Sequence, residues 1–182
     1  MTHLTLSQTV SQINAGDVVA YPTESVFGLG CDPFNEAAVQ KLFHVKQREH
    51  TKGLILIAAT VEQIAPYVLL HNQAWQQAVL ATWPGPVTWI LPTKTHLPNW
   101  ITGGRDTVAV RVSSHPTVQA LCLACGHALI STSANPSGQP PAKSCAQVEA
   151  YFQNQINCLD GALGNLSKPT QIIDAQTGHI LR

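Results

Sequence analysis

Short apolar runs alternate with amphipathic segments along this sequence, and the alternation restricts the folds that it can adopt. The runs have the length and the β-branched content of buried strands, whereas the segments between them space their apolar residues as helices do. The runs lie at residues 18–21, 54–58, 87–91, 107–112 and 128–131, and residues 171–174 and 179–182 read as a final hairpin. The pattern predicts a mixed, twisted α/β sheet with flanking helices.

Local signals mark several helix starts. Thr5 and Gln8 form a capping-box pattern, and Asn35 is a candidate cap for a second helix running to about residue 45. A further capping-box pattern begins at Thr60. Later helices are predicted at residues 72–82, 114–126 and 144–153, and residues 23–32 are predicted to form a loop.

Length and composition limit the class of protein. The 182 residues fit one domain spanning residues 1–182, with ten Lys and Arg balancing ten Asp and Glu. A zero net charge excludes a global basic field for nucleic acid. No apolar stretch reaches the length of a membrane span, and the first residues do not resemble a signal peptide. Five scattered cysteines are typical of a reduced, cytoplasmic protein.

Positive charge is concentrated in one short stretch. Lys41, Lys46, Arg48 and Lys52 fall within twelve positions, immediately before the apolar run at residues 54–58. Cations at the rim of an α/β sheet suit an anionic ligand. The alternative is a favourable interaction with a helix C-terminus, which accounts for Lys41 and partly for Lys46. It does not account for Arg48 and Lys52, which lie beyond the predicted helix.

Arg111 interrupts an otherwise apolar strand. A buried guanidinium needs an anionic partner. The sequence leaves two kinds of partner open. One is a carboxylate of the protein, from Asp106, Asp32 or Asp174. The other is a ligand carboxylate, which an arginine can bind through two parallel hydrogen bonds.

Polar residues also follow two predicted strands. Thr23 follows residues 18–21, and Ser131, Ser133 and Asn135 follow residues 128–130. Ordinary turn chemistry explains each position alone, but together they indicate one pocket at the sheet edge.

Other motifs are excluded or weak. Pro33 stands where a dinucleotide fingerprint needs its third glycine, and the Cys122–Cys125 pair lies on an apolar helix face, which favours core packing over zinc.

Five sequence runs occur in an order that identifies a family resemblance. The runs are Tyr21-Pro22-Thr23-Glu24-Ser25-Val26-Phe27-Gly28-Leu29-Gly30, Lys46-Gln47-Arg48, Trp83-Pro84-Gly85-Pro86-Val87-Thr88, Val108-Ala109-Val110-Arg111 and Ser131-Thr132-Ser133-Ala134-Asn135-Pro136-Ser137-Gly138. The chain resembles the YrdC/TsaC family of threonylcarbamoyl-AMP synthases, in its short, single-domain bacterial form. The paired Lys-x-Arg and Ser-x-Asn motifs are the hallmark of that family. The resemblance implies a YrdC-like fold with a ligand cleft on a concave face.

The resemblance also implies an activity. Such a nucleotidyltransferase forms threonylcarbamoyl-adenylate and pyrophosphate from L-threonine, bicarbonate and ATP, with Mg²⁺ accompanying the ATP. Partner proteins then transfer the threonylcarbamoyl group to tRNA beside the anticodon, and weak direct tRNA binding stays an open alternative. Two other functions compete with this one: an RNA-binding module without catalysis, and a related carbamoyl-adenylate transfer domain.

Site residues follow from the same resemblance. It implies that Lys46 and Arg48 are catalytic and hold the ATP phosphates. The other implied ATP-binding residues are Lys52, Thr107, Ser133, Asn135 and Arg182. The implied threonine-binding residues are Thr23, Arg111, Ser131 and Thr170. No residue is implied as a metal ligand. The sequence departs from many relatives at Ile57, where they have a histidine, and at Lys52, where they have an asparagine.

Overall fold

A nine-stranded mixed β-sheet forms the centre of the fold in the computed structural model, which describes residues 2–182. The strands are β1 (His3–Leu4), β2 (Val19–Pro22), β3 (Phe27–Gly30), β4 (Ile55–Ala58), β5 (Val87–Pro92), β6 (Thr107–Val112), β7 (Leu129–Ser133), β8 (Asn157–Leu159) and β9 (Gln171–Asp174). Their spatial order is β1-β8-β2-β3-β7-β4-β6-β5-β9. Four neighbouring pairs are parallel and four are antiparallel, which confirms the predicted mixed α/β sheet.

Six helices flank the sheet in the described residues. They are α1 (Leu6–Asn14), α2 (Glu36–Lys46), α3 (Gln76–Ala81), α4 (Asn99–Thr102), α5 (Pro116–Cys125) and α6 (Cys145–Phe152). The predicted capping box is present at α1, where Thr5 and Gln8 exchange side-chain and backbone hydrogen bonds. The Asn35 side chain caps α2 as predicted. Gln47 ends α2 in the left-handed conformation, with φ 51°, and this turns the chain toward Arg48.

Two hydrophobic clusters account for the core. One includes Leu42 and Phe43 of α2 together with Leu56 and Val110 of the central strands. The other includes residues of α1 and α5 packed against Ile57, with Ile13 and Leu121 among them. The sheet therefore separates two packed layers. Among residues 2–182, no helix is long and apolar enough to cross a membrane.

Strand β3 lies within the segment that the sequence predicts to be a loop, so this prediction is wrong. Its glycines hide the strand, because glycine is uncommon in strand interiors. The packing explains Gly30: a Cβ atom there would lie 2.6 Å from the Ile130 carbonyl oxygen and 2.7 Å from the Tyr21 ring. Close contact with Tyr21 and β7 therefore requires glycine at this position.

Two other sequence predictions are also corrected. Thr60 makes no side-chain cap, and only a 3-10 turn, Val61–Gln63, follows it. Cys145 and Cys158 form a disulfide that joins the start of α6 to β8, so the prediction that all five cysteines are reduced is wrong. Cys31, Cys122 and Cys125 are free. Cys122 is fully buried in the α1–α5 cluster, which confirms a packing role for that residue.

Candidate active site

A cleft of about 480 Å³ opens on one face of the sheet. Ile55, Ala109 and Ser131 are register neighbours on three adjacent strands, and all three line the cleft. Ile57 lies two residues after Ile55 on the same face of β4, but belongs to the cluster under α5. The helices thus cover one end of this face and leave the other end open as the cleft.

Nine of the eleven site residues implied by the family resemblance lie in the wall of this cleft. They are Thr23, Arg48, Lys52, Thr107, Arg111, Ser131, Ser133, Thr170 and Arg182. Four of them lie on the strands β6 and β7 and the other five lie outside the strands, so only the folded chain brings them together. Ile57 is fully buried and is not part of the wall, so the side chain that replaces the family histidine does not reach the cleft.

The cleft wall is rich in positive charge. All four arginines of the sequence line it, together with Lys52, whereas none of the ten carboxylate residues does. Arg105 is the one arginine that the sequence analysis did not select. Its guanidinium donates hydrogen bonds to the carbonyl oxygens of Thr102 (3.3 Å) and Thr51 (3.1 Å). The sequence does contain a signal for Arg105, because it follows two glycines in a loop directly before a strand, where binding residues are common. A wall with cations and no carboxylates attracts a polyanion.

Arg48 lies just beyond α2, as the sequence predicts. Its Nη2 donates a hydrogen bond of 2.9 Å to the Gly53 carbonyl oxygen. Its Nε is buried and has no hydrogen-bond partner in the protein. Burial lowers the pKa of this guanidinium. An unpaired, desolvated donor in a cleft wall is suited to a ligand oxygen.

Lys46 and Asn135 are not brought into the wall but lie behind it. The Lys46 ammonium donates to the carbonyl oxygens of Ser133 and Asn135, the latter at 2.8 Å. The Asn135 side chain donates to the carbonyl oxygens of Pro136 (3.0 Å) and Gln139 (2.7 Å). Burial and the nearby Arg48 lower the pKa of Lys46 to about 8. Lys46 thus fixes the loop that places Ser133 in the wall.

Arg111 has a protein carboxylate beside it. Its Nη2 lies 3.4 Å from Oε2 of Glu24, and both side chains are buried. The expectation that Asp106, Asp32 or Asp174 supplies a protein partner is therefore wrong. Glu24 is missing from the sequence-based set because it stands in a turn far from Arg111 along the chain. The ion pair holds the guanidinium in place, and its Nε is buried without a hydrogen-bond partner.

Thr170 links two arginines. Nη1 of Arg111 donates a 2.6 Å hydrogen bond to the Thr170 hydroxyl. Arg182 donates from Nε to the Thr170 carbonyl oxygen at 3.1 Å, and its Nη2 lies 3.5 Å from the same hydroxyl. Burial and the charge of Arg111 lower the pKa of Arg182. Two positive charges beside one hydroxyl repel each other, and an anionic ligand bound between them would reduce that repulsion.

Comparison with known proteins identifies the family. The family model named Sua5_yciO_yrdC, and described as telomere recombination, matches residues 11–182. The chain belongs to the Sua5/YciO/YrdC family. Two curated relatives are named threonylcarbamoyl-AMP synthase. The one from Halorhodospira halophila is 51% identical over 94% of this chain and 91% of its own length, and the one from Alkalilimnicola ehrlichii is 50% identical over 97% and 94%.

Solved structures of the Sua5/YciO/YrdC family confirm the fold. Sua5 of P. abyssi, solved in complex with L-threonine, superposes with a TM-score of 0.88 at 32% identity, covering 96% of this chain. The chain spans about half of that protein, 52% of its length. YciO of E. coli superposes with a TM-score of 0.79 at 28% identity, over 93% of this chain and 82% of its own. HypF, at 18% identity and a TM-score of 0.79, shares the fold alone.

Proposed function

We propose that this protein synthesises threonylcarbamoyl-AMP and pyrophosphate from L-threonine, bicarbonate and ATP. The observation that carries the proposal is the charge pattern of a single cleft. A buried arginine, Arg111, is poised for a carboxylate, and further cations suit a polyphosphate. Curated relatives about half identical over nearly the whole chain are named for this product, which supports the same activity.

The reaction needs positioning and charge neutralisation more than a protein nucleophile. The threonine amine and bicarbonate form an N-carboxylate with loss of water. A carboxylate oxygen of that group attacks the α-phosphorus of ATP, and the bond to the bridging oxygen breaks, so that pyrophosphate leaves. Negative charge on the phosphate oxygens is stabilised by preorganised donors. A wall of fixed cations supplies such donors.

The threonine end of the cleft is the region around Arg111. Its guanidinium binds the threonine carboxylate, while Thr170 and Ser131 provide hydroxyl groups. Thr23 completes this end, with its own hydroxyl donating 2.7 Å to the Val26 carbonyl oxygen. That internal bond leaves lone pairs of the Thr23 oxygen free to accept from the threonine ammonium or hydroxyl.

The nucleotide end of the cleft lies along the stretch that follows α2. Arg48 lines this end and binds phosphate oxygens through its guanidinium. Lys52 also lines it and is ion-paired with Glu49 at 3.4 Å. Thr107 and Ser133 supply further hydroxyl contacts, and Arg182 lies between the two ends beside Thr170. Lys46 and Asn135 act from behind the wall, by holding the Ser133 loop and contributing the positive charge of the ammonium.

Magnesium enters as part of the MgATP substrate in this proposal. Mg²⁺ is usually held by one or two carboxylates together with phosphate oxygens and water. No Asp or Glu residue lines the described wall, so in this proposal the phosphates and water supply most of the ligands. The protein residues then neutralise the remaining phosphate charge.

The biological role extends beyond this cleft. We propose that partner proteins transfer the product to tRNA beside the anticodon, and that the protein works in the cytoplasm. One competing activity is that of a carbamoyl-adenylate transfer domain, which needs no threonine. The threonylcarbamoyl-AMP synthases among the relatives support the threonine-dependent reaction instead.

Pyrophosphate release tests the proposal directly. The purified protein should convert MgATP to pyrophosphate only when threonine and bicarbonate are both present, and mass spectrometry should detect threonylcarbamoyl-AMP. Arg48→Ala should lose the activity, whereas Lys41→Ala should keep it, because Lys41 pairs with Asp17 outside the cleft. Pyrophosphate release that proceeds without threonine would overturn the assignment in favour of the carbamoyl-adenylate activity.

A further inference from the structure

Four side chains of types that can bind metals lie together at the β1 edge of the sheet, outside the wall of the cleft, and two of them are joined as a disulfide. His3 and Cys158 are register partners in the parallel pair β1–β8, so both side chains leave the same face. Asp160 lies two positions after Cys158 and continues that face. Cys145, the first residue of α6, packs above it through the disulfide to Cys158.

The donor atoms of this group are close together. The ligand atoms of His3, Cys145 and Asp160 all lie within 4.8 Å of one another, and the Cys158 sulfur is bonded to that of Cys145. His3 Nδ1 lies 3.5 Å from Oδ2 of Asp160, and Oδ1 of Asp160 accepts from the Gly161 amide. The sulfurs are buried, whereas His3 and Asp160 are exposed and can adjust by side-chain rotation.

This donor set suits one ion in particular. Zn²⁺ binds four ligands in a tetrahedron and takes thiolate sulfur, imidazole nitrogen and carboxylate oxygen. Softer thiolates select it over Mg²⁺ and Ca²⁺, which prefer oxygen alone. We propose that His3, Cys145, Cys158 and Asp160 bind one Zn²⁺ ion when the disulfide is reduced.

The proposed zinc site and the disulfide exclude each other. A phosphine reductant takes up oxygen from water and converts the disulfide to two thiols. Zn²⁺ then binds both sulfurs as thiolates and releases two protons. Either link connects α6 to β8, but only zinc also connects β1 through His3. The oxidation state of one cysteine pair therefore controls how the first strand is held.

The other cysteine pair lacks these partners. Cys122 is fully buried in the core, and burial raises the pKa of Cys122 to about 12 and that of Cys125 to about 11, so both thiols stay protonated. Within residues 2–182, neither belongs to a group of three or more potential metal ligands. The spacing of the proposed site, residues 3, 145, 158 and 160, matches no sequence motif, so only the fold reveals it.

Cobalt provides a visible probe of the proposed site. The protein should be reduced with a phosphine under anaerobic conditions and titrated with Co²⁺. One equivalent should produce thiolate-to-cobalt charge-transfer absorption and the strong visible bands of tetrahedral cobalt. One equivalent of Zn²⁺ should then bleach them, because Zn²⁺ binds such sites more tightly than Co²⁺. The oxidised protein should show none of these bands.

Variants distinguish this site from the other thiols. Cys145→Ser should abolish the charge-transfer absorption, whereas Cys125→Ser should leave it unchanged. His3→Ala and Asp160→Asn change exposed side chains, so the protein should fold, and each should weaken Co²⁺ binding by more than about tenfold. The proposal is overturned if the reduced protein gives no tetrahedral bands. It is equally overturned if they survive Cys145→Ser, or if both exposed-residue variants bind Co²⁺ as tightly as the parent.

Discussion

The Arg111 guanidinium lies 3.4 Å from the Glu24 carboxylate in the interior of the protein, with about 6% and 7% of the two side chains exposed. Glu24 is itself held by Ser113, whose hydroxyl donates a 2.6 Å hydrogen bond to Oε1. The backbone of Glu24 is covered by a later loop, where Gly164 lies so close that a Cβ atom would be 2.8 Å from it. The proposed carboxylate-binding arginine is therefore fixed by a buried network before any ligand arrives.

Glu24→Gln should lower the free energy of unfolding by about 3 kcal/mol, because it leaves the buried Arg111 charge without its counter-ion. Urea unfolding checks this expectation, with the exposed Glu62→Gln as a control. Saturating threonine should restore more stability to Glu24→Gln than to the parent protein, because the ligand carboxylate replaces the lost charge. Equal stability of Glu24→Gln and its parent would show that the ion pair contributes nothing to the fold.

Arg111→Lys tests the proposed contact with the threonine carboxylate. A lysine keeps the charge opposite Glu24 but cannot donate two parallel hydrogen bonds. The KM for threonine should rise about 10- to 100-fold, as expected for the loss of a charge-assisted hydrogen bond, with little change in the KM for ATP. Steady-state pyrophosphate release measures both constants. Equal increases for the two substrates would assign Arg111 a purely structural role.

Local sequence signals predicted much of this fold. The cap at Asn35 and the box at Thr5 depend on neighbours within four residues, so the sequence alone defines them. Apolar runs identified most strands. The short strand β8 escaped prediction because its three residues are stabilised by pairing with β1 and β2, which are distant in sequence.

The candidate site was predictable only in part, for the same reason. The family resemblance selected residues that the structure gathers in one cleft, including Arg48 and Arg182. It did not indicate that Lys46 would bond to backbone carbonyls behind the wall, or that Glu24 would pair with Arg111. Those contacts join residues more than 80 positions apart in the sequence. Lys46 and Asn135 are 89 residues apart, and so are Glu24 and Ser113, which belongs to the same buried network. Such pairing is determined by the sheet order, not by local pattern.

Arg48→Ala should reduce the rate of pyrophosphate formation by about 10²-fold or more, since it removes a preorganised donor to the reacting phosphates. It should also cost about 1 kcal/mol of stability, because the Gly53 carbonyl oxygen loses its donor. Single-turnover kinetics and urea unfolding measure the two effects. Lys41→Ala is the matched control from the same basic stretch and should change neither. Normal turnover in Arg48→Ala would remove this residue from the reaction.

Lys46 predicts a specific dependence of stability on pH. Burial lowers its pKa to about 8, whereas in the unfolded chain it titrates near 10.5. Between these values the unfolded chain binds the proton and the folded protein does not, so the free energy of unfolding should rise with pH across that window. Across that window, the free energy of unfolding of the parent protein should increase by on the order of 2–3 kcal/mol more than that of Lys46→Met. Urea unfolding of both proteins from pH 7 to 10 measures it, and parallel curves would contradict the lowered pKa.

The backbone holds Arg182 in the cleft. Ile180 and Leu181 are more than half exposed, so burial of their side chains does not secure this segment. Instead, the Ile172 amide donates to the Arg182 carbonyl oxygen at 3.1 Å, and the Leu181 amide donates to the Ile172 carbonyl oxygen at 2.8 Å. The side chain then bonds to Thr170 beside Arg111, where the two positive charges repel each other.

Arg182→Gln should therefore weaken ATP binding several-fold, since a phosphate that relieves this repulsion gains less once the charge is removed. Calorimetric titration with a non-hydrolysable ATP analogue measures the affinity, and a second titration with threonine measures the other end of the cleft. His179→Gln changes an exposed residue of the same segment outside the cleft wall and should leave both affinities unchanged. If Arg182→Gln weakens threonine binding and leaves nucleotide binding intact, Arg182 belongs with Arg111 in the carboxylate site instead.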